Sequence, residues 1–221
     1  MESEVRNAFY TRIPTWTTLQ PRVEQRWNDC LQTLECTDKL RTEVVVFSPN
    51  SQLLASRGRI SNVRIWQVST GKCLRVLKPT HDTRSLGIVP SGMKMEFSPD
   101  STLLYVLFSS CILVWRVDTG QCIQQLCRGR SSLRCMVVLA LHLVACGTER
   151  GDIYIWEAET GLMTSQFNAH TGSVKSLAFT SELRLLASGS SQGEIRLWDT
   201  GTWSAFYVQK LPDGGPVLQI A

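Results

Sequence analysis

The sequence predicts an all-β chain, an incomplete β-propeller of about four full four-stranded blades plus parts of a further blade. Three observations predict it. A unit centred on tryptophan recurs four times, as "SNVRIWQVSTG" (61–71), "SSCILVWRVDTG" (109–120), "GDIYIWEAETG" (151–161) and "SQGEIRLWDTGT" (191–202). Its tryptophans, Trp66, Trp115, Trp156 and Trp198, are spaced by 49, 41 and 42 residues, and two of these intervals match the roughly 40 to 45 residues of a propeller blade. An apolar run precedes the tryptophan at a nearly constant distance: 19 residues from Phe47 to Trp66, 18 from Phe97 to Trp115 and 19 from Phe179 to Trp198.

Each copy supplies four strands in order. The first strand reads "EVVVFSPN" (43–50), "KMEFSPD" (94–100), "CMVVLALH" (135–142) and "SLAFTSEL" (176–183). The second is a short apolar run closed by small or turn-forming residues: "QLLASRG", "TLLYVLF", "HLVACGT" and "RLLASGS". The tryptophan unit is the third. A Gly-led strand is the fourth: "GKCLRVLK" (71–78), "GQCIQQLC" (120–127), "GLMTSQFN" (161–168) and "GTWSAFYV" (201–208). The blades are expected over 43–78, 94–127, 134–168 and 174–211. In "PRVEQRWNDCLQTLE" (21–35) the apolar spacing is helical, yet "CLQTLE" aligns with "CLRVLK" and "CIQQLC". The alignment is preferred, giving a lead-in over 1–29 that leaves room for a short helix, a stray fourth strand over 30–35, and a stray first strand in "GPVLQIA" (215–221).

Composition narrows the class. With 221 residues, 43% hydrophobic content and 19% charged residues, the chain can bury a sizeable core. The net charge of +4 is too modest to indicate a dedicated nucleic-acid or membrane-surface binder. No secretory signal opens the sequence, and the longest apolar stretch, "CMVVLALHLVAC" (135–146), is short and interrupted by His142. Eight cysteines without a CxxC pair, and three histidines, make no metal or redox framework. They read as reduced thiols of a cytoplasmic protein. Cys30, Cys73 and Cys122 share one repeat position with Met163 and Trp203, a place that requires apolar bulk.

Over roughly residues 30–221 these motifs resemble WD40-repeat proteins. The similarity is strongest in "GSVKSLAF…RLLASGSSQGEIRLWDTGT". The segment "IPTWTTLQPRVEQRWNDCLQTLE" (13–35) resembles the lead-in to the first WD40 repeat of fungal NACHT-WD40 receptors, signal-transducing NTPases whose propeller is their sensor. The resemblance implies a hydrogen-bonded tetrad of Asp, His, Ser or Thr, and Trp in each blade. Here the fourth copy alone comes near it, with His170, Ser188 and Trp198; the expected Asp, six residues before each tryptophan, is Ile60, Ser109, Arg150 and Gln192. Each blade is therefore expected to lack a charge-assisted bond. The Trp-Asp dipeptide survives only at Trp198-Asp199. Seven blades are usual in the family, so the resemblance also implies a piece of a longer chain or an array that another chain completes.

Catalytic chemistry has little support in the sequence. "STGKC" (69–73) ends like a phosphate-binding loop, but the glycine required five residues before Gly71 is Trp66. It reads instead as a turn, repeated at Gly120 and Gly161. No nucleophile elbow, HExxH pair or suggestive carboxylate pair is present. His142 reads as a histidine within an apolar strand and His170 as the structural histidine; His81 has no evident structural role. The chain is expected to be no enzyme and to need no cofactor or metal. The expected function is protein interaction, as a scaffold or sensor, with a truncated or partner-completed fragment without independent function as the alternative and an enzyme as a remote one.

A partner surface is expected where the chain is longer than its repeat, around 78–93. In the resembled fold the connections between blades and the turns between second and third strands share one face. That face would carry Lys39, Arg41, Arg57, Arg59, Lys78, Arg84, Arg128, Arg130, Arg134 and Arg150, with His81 and fewer acids. His81, Arg84, Arg128, Arg130 and Arg150 are the candidates for holding an acidic protein segment. Ordinary solvated loop charge accounts for the same residues, and no aromatic interleaving suggests nucleic acid.

Overall fold

Short apolar runs bounded by Ser-Pro, Gly and Asn turns fold as strands, and the inner strands of the blades are buried on both faces. In the computed structural model, which describes residues 32–34, 42–58, 62–79, 94–108, 110–127, 132–139, 142–212 and 214–220, these runs make four antiparallel sheets of four strands. The first holds β1 (Thr42–Phe47), β2 (Leu53–Gly58), β3 (Val63–Gln67) and β4 (Cys73–Leu77). The second holds β5 (Met95–Phe97), β6 (Leu103–Leu107), β7 (Cys111–Arg116) and β8 (Cys122–Cys127). The third holds β9 (Leu133–Val138), β10 (Leu143–Thr148), β11 (Asp152–Glu157) and β12 (Met163–Asn168). The fourth holds β13 (Val174–Thr180), β14 (Leu185–Ser190), β15 (Glu194–Asp199) and β16 (Ser204–Lys210). Neighbours in each sheet are neighbours in sequence, so every sheet is a meander.

The chain divides into two compact units, Met1–Thr33 and Leu34–Ala221, and all sixteen strands lie in the second. Residues 32–34 form no strand; the remainder of the expected 1–29 lead-in and 30–35 strand lies outside the described residues.

The core consists of three layers, each between consecutive sheets. Ala55, Ile65 and Leu77 of the first sheet pack with Phe97, Leu104 and Trp115 of the second. Tyr105, Ile112 and Leu126 pack with Met136, Cys146 and Trp156, and Val137, Ala145 and Ile153 with Leu177, Leu186 and Trp198. The two-residue period of a strand explains this: the tryptophan faces the preceding blade while its neighbours in sequence face the following one. At about 25 cal/mol per Å², these tryptophans and aliphatics supply most of the hydrophobic stabilisation.

In the third and fourth blades, close approach of the next segment leaves room only for glycine nine positions before the tryptophan. A Cβ on Gly147 would sit 2.6 Å from Val174 at the start of β13, and one on Gly189 would sit 2.5 Å from Val217. Residues 214–220 form no strand, but the Val217 amide donates to the Ser190 carbonyl (2.9 Å) and the Ile220 amide to Ser176 Oγ (2.8 Å). In the first blade the same position holds Arg57, which corrects its expected place on an exposed basic face. Arg57 is buried, donates from Nη1 to the Leu107 carbonyl (3.1 Å) and lies 4.0 Å over the Phe108 ring. Burial lowers its pKa to about 10, which leaves it a cation at neutral pH.

Two further expectations are corrected. His142 lies in the turn between β9 and β10, with a φ of 62°, rather than within a strand. Trp203 does not share the strand position of Cys73, Cys122 and Met163: those residues oppose the repeat tryptophans, whereas Ala205 opposes Trp198. Trp203 instead takes the left-handed turn position that Gly71, Gly120 and Gly161 fill elsewhere, with a φ of 55°. Its amide donates to the Asp199 carbonyl (2.8 Å), as the Gly71 amide does to Gln67. Gly201 imitates the turn glycine two residues early. Asp199 Oδ1 makes the conformation tenable by accepting from the Gly201 and Thr202 amides, at 3.1 and 2.9 Å, and Trp203 stacks on Phe167 at 5.9 Å.

Candidate functional site

Two places combine polar groups with burial. The first is the interior of the fourth blade. Trp198 Nε1 donates to Ser188 Oγ (2.8 Å), Ser188 Oγ lies 2.7 Å from His170 Nε2, and His170 Nδ1 lies 3.0 Å from Glu194 Oε2. Burial lowers the pKa of His170, with the bond to Glu194 opposing. Burial raises the Glu194 carboxyl, but bonds from Arg196 and His170 outweigh it and hold the group below its usual range. Both directions describe one state, a neutral imidazole beside a carboxylate. With its proton on Nδ1, His170 donates to Glu194 and accepts the Ser188 hydroxyl, which is then free to accept the indole N–H.

Glu194 supplies the carboxylate that the resemblance places at position 192, where Gln192 stands. Gln192 holds the Thr171 hydroxyl instead (2.7 Å). The first blade keeps half of the arrangement, Trp66 Nε1 donating to Ser56 Oγ at 2.8 Å. Tyr105 and Cys146 stand at the corresponding places in the second and third blades, and the buried Tyr105 hydroxyl has no hydrogen-bond partner among the described residues.

Carboxylate, imidazole and hydroxyl in series are the parts of a hydrolytic triad. Here they do another job. Ser188 is 0% and His170 1% exposed, so no substrate carbonyl can approach the hydroxyl, and its lone pair already receives the indole. The chain of bonds ties β14, β15 and the segment before β13 together. Among the described residues, no group of three His, Cys, Asp or Glu side chains is placed to hold a metal ion, and no helix is long and apolar enough to cross a membrane. "STGKC" forms the turn between β3 and β4, with Gly71 at a φ of 65°.

The second place is a cavity of about 350 Å³ where the first strands of three successive blades end. Val46, Phe47 and Pro49 line it from the first blade, Glu96, Phe97 and Pro99 from the second, and Val138 from the third. The Ser-Pro turns after β1 and β5 provide the prolines. Meander topology puts this cavity at the opposite end of the blades from the interblade connections, so it is not on the face that the sequence indicated. Phe47 is 61% exposed. Burial raises the pKa of Glu96, offset by Lys94, whose Nζ is 3.6 Å from Oε2, and by the Val138 backbone.

Of the residues expected to form a partner surface, Arg150 is exposed in the turn between β10 and β11. Arg134 bonds Glu149 at 2.7 Å and is no free cation. His81, Arg84, Arg128 and Arg130 lie outside the described residues, as does most of the longer connection over 78–93. The cavity could not have been found from sequence, because its lining comes from three blades. Its one local signal was the repeated Phe-Ser-Pro.

Comparison with known proteins agrees with this architecture. Residues 161–199 match the family described as WD domain, G-beta repeat. That span carries a WD40 repeat. It is 28% identical to pre-mRNA-processing factor 19 of Bos taurus over 141 residues, 61% of this chain and 26% of that protein. It is 25% identical to eukaryotic translation initiation factor 3 subunit I of Phaeosphaeria nodorum over 151 residues, 61% of this chain and 42% of that one. The chain thus matches less than half the length of these relatives. Among solved structures, U3-55K superposes with a TM-score of 0.66 at 18% identity, covering 81% of this chain and 54% of the other. The computationally designed Ika8 protein gives a TM-score of 0.67 at 19% identity, covering 81% and 52%. These two likenesses concern the fold.

Proposed function

We propose that this chain is a non-enzymatic protein-interaction module that acts in the cytoplasm and seats an extended segment of a partner protein in the cavity at the ends of β1, β5 and β9. The cavity carries the reading: exposed Phe47, two prolines and Phe97 surround one carboxylate, a combination suited to apolar side chains next to a donor or cation. The tetrad supports a binding role in another way, since its polar groups are spent within the blade.

The test is affinity capture with quantitative recovery. Phe47→Ser and Glu96→Gln should lose a common set of captured proteins, while Arg150→Glu retains them. Full recovery by both cavity variants removes this reading, and loss by Arg150→Glu alone transfers it to the basic face.

A narrower reading, the ligand-recognition part of a NACHT-type receptor, is favoured by the lead-in "IPTWTTLQPRVEQRWNDCLQTLE" (13–35). Mapping the transcript tests it. An in-frame NTPase region upstream supports the receptor, and a transcript that has none ends the idea.

A further inference from the structure

Cross-strand register places two cysteines face to face. Cys111 opens β7 and Cys127 closes β8, and they are direct partners in the ladder. Directly opposed residues of an antiparallel pair have Cα atoms about 4.5 to 5.5 Å apart, within the ~4.4 to 6.8 Å that a disulfide spans, and their side chains leave the same face. The other described cysteines have no such neighbour: Cys73 and Cys122 oppose tryptophans, Cys135 opposes Gly147, and Cys146 opposes Met136 and Tyr154.

We propose that Cys111 and Cys127 form a modification site, a dithiol that a low-molecular-weight disulfide oxidises to a cross-strand disulfide joining β7 to β8. Their different exposure sets the order. Cys127 is exposed and Cys111 buried, so the reagent meets Cys127 first. The Cys127 thiolate attacks one sulfur of the reagent, a protein–reagent disulfide forms, and the first reagent thiolate leaves and takes up a proton. Cys111 then loses its proton and attacks the Cys127 sulfur, expelling the second reagent thiolate. Two protein thiols are oxidised and one disulfide is reduced to two thiols, so electrons and protons balance.

Burial pushes the Cys111 thiol up to about 12, and the neighbouring Cys127 charge adds to this. Capping Cys127 removes that charge, which favours the second step once the first has occurred. The bond would sit where β8 leaves the second blade, beside the connection that carries Arg128 and Arg130, and would hold that end of the blade closed. This inference is independent of the proposed partner cavity.

The test treats the reduced full chain with oxidised glutathione, quenches with acid, alkylates and maps peptides by mass. The expected product is a Cys111–Cys127 linked peptide, reversed by dithiothreitol, with Cys111→Ser stopping at a glutathione adduct on Cys127. A wild-type chain that also stops at this adduct, or links other cysteines in its place, overturns the proposal. If Cys111→Ser does not fold, Cys127→Ser decides: it must leave Cys111 unmodified until the chain is denatured, and a Cys111 adduct in the folded variant overturns the order of attack.

Discussion

Ser188 receives an indole N–H and gives its own proton to an imidazole, so removing its hydroxyl strands two buried groups at once. Ser188→Ala is expected to cost about 1 to 3 kcal/mol for each group left unsatisfied, read from urea unfolding. Trp198→Ala and Trp156→Ala should each cost about 3 to 5 kcal/mol through lost packing and cavity formation; wild-type melting of either would contradict the layered core. The same blade sets a pH dependence. Unfolded His170 takes a proton near its ordinary pKa of about 6.5, while the folded chain resists it, so stability falls as pH drops below that value. Glu194 adds a loss at lower pH, because its folded pKa is also depressed and its stabilisation disappears as the carboxylate is protonated. Thermal melts from pH 7.5 to 4 should fall steadily, and His170→Asn should flatten the upper part of that slope.

Strands were legible in the sequence because a period of two, a tryptophan and a turn must all recur together, and chance rarely aligns three signals. Turns were less so. "DTGTWS" contains a glycine where the eye expects it, but the left-handed residue is Trp203, held by Asp199 and by stacking on Phe167. Glu194 escaped because it reaches His170 from β15 itself instead of from the preceding turn, a difference in geometry that residue spacing does not record. The burial of Arg57 is legible in alignment: nine residues before each tryptophan the four blades read Arg, Val, Gly and Gly, a position that faces the next blade. Glycines test these elements directly. A Cβ on Gly151, whose φ is 89°, would overlap the His170 carbonyl oxygen, whereas one on Gly215 meets nothing within 4 Å. Gly151→Ala should lower the melting temperature sharply and Gly215→Ala hardly at all.

Over the Leu34–Ala221 unit, each layer joins one blade only to the next, in the manner of a repeat array. Polar contacts follow the same rule: Arg75 Nη2 of β4 donates to the Asp118 carbonyl (2.9 Å) and Gln124 Nε2 of β8 to the Glu159 carbonyl (2.8 Å), each reaching the turn of the following blade. The faces at either side of the array remain partly open, with Val45, Phe47, Leu74 and Val76 exposed on the first blade and Phe206, Tyr207 and Val208 on the fourth. If these faces pair between copies, the melting temperature should rise with protein concentration; a flat response would show that they do not. Contacts confined to nearest neighbours also determine how the molecule answers to force. Among the described residues no bond spans several blades to share a load applied at the two ends, so the blades should rupture singly. Each rupture would release one repeat of chain, about 140 to 170 Å when extended at ~3.4 Å per residue, and a stretching trace would show one tooth per blade.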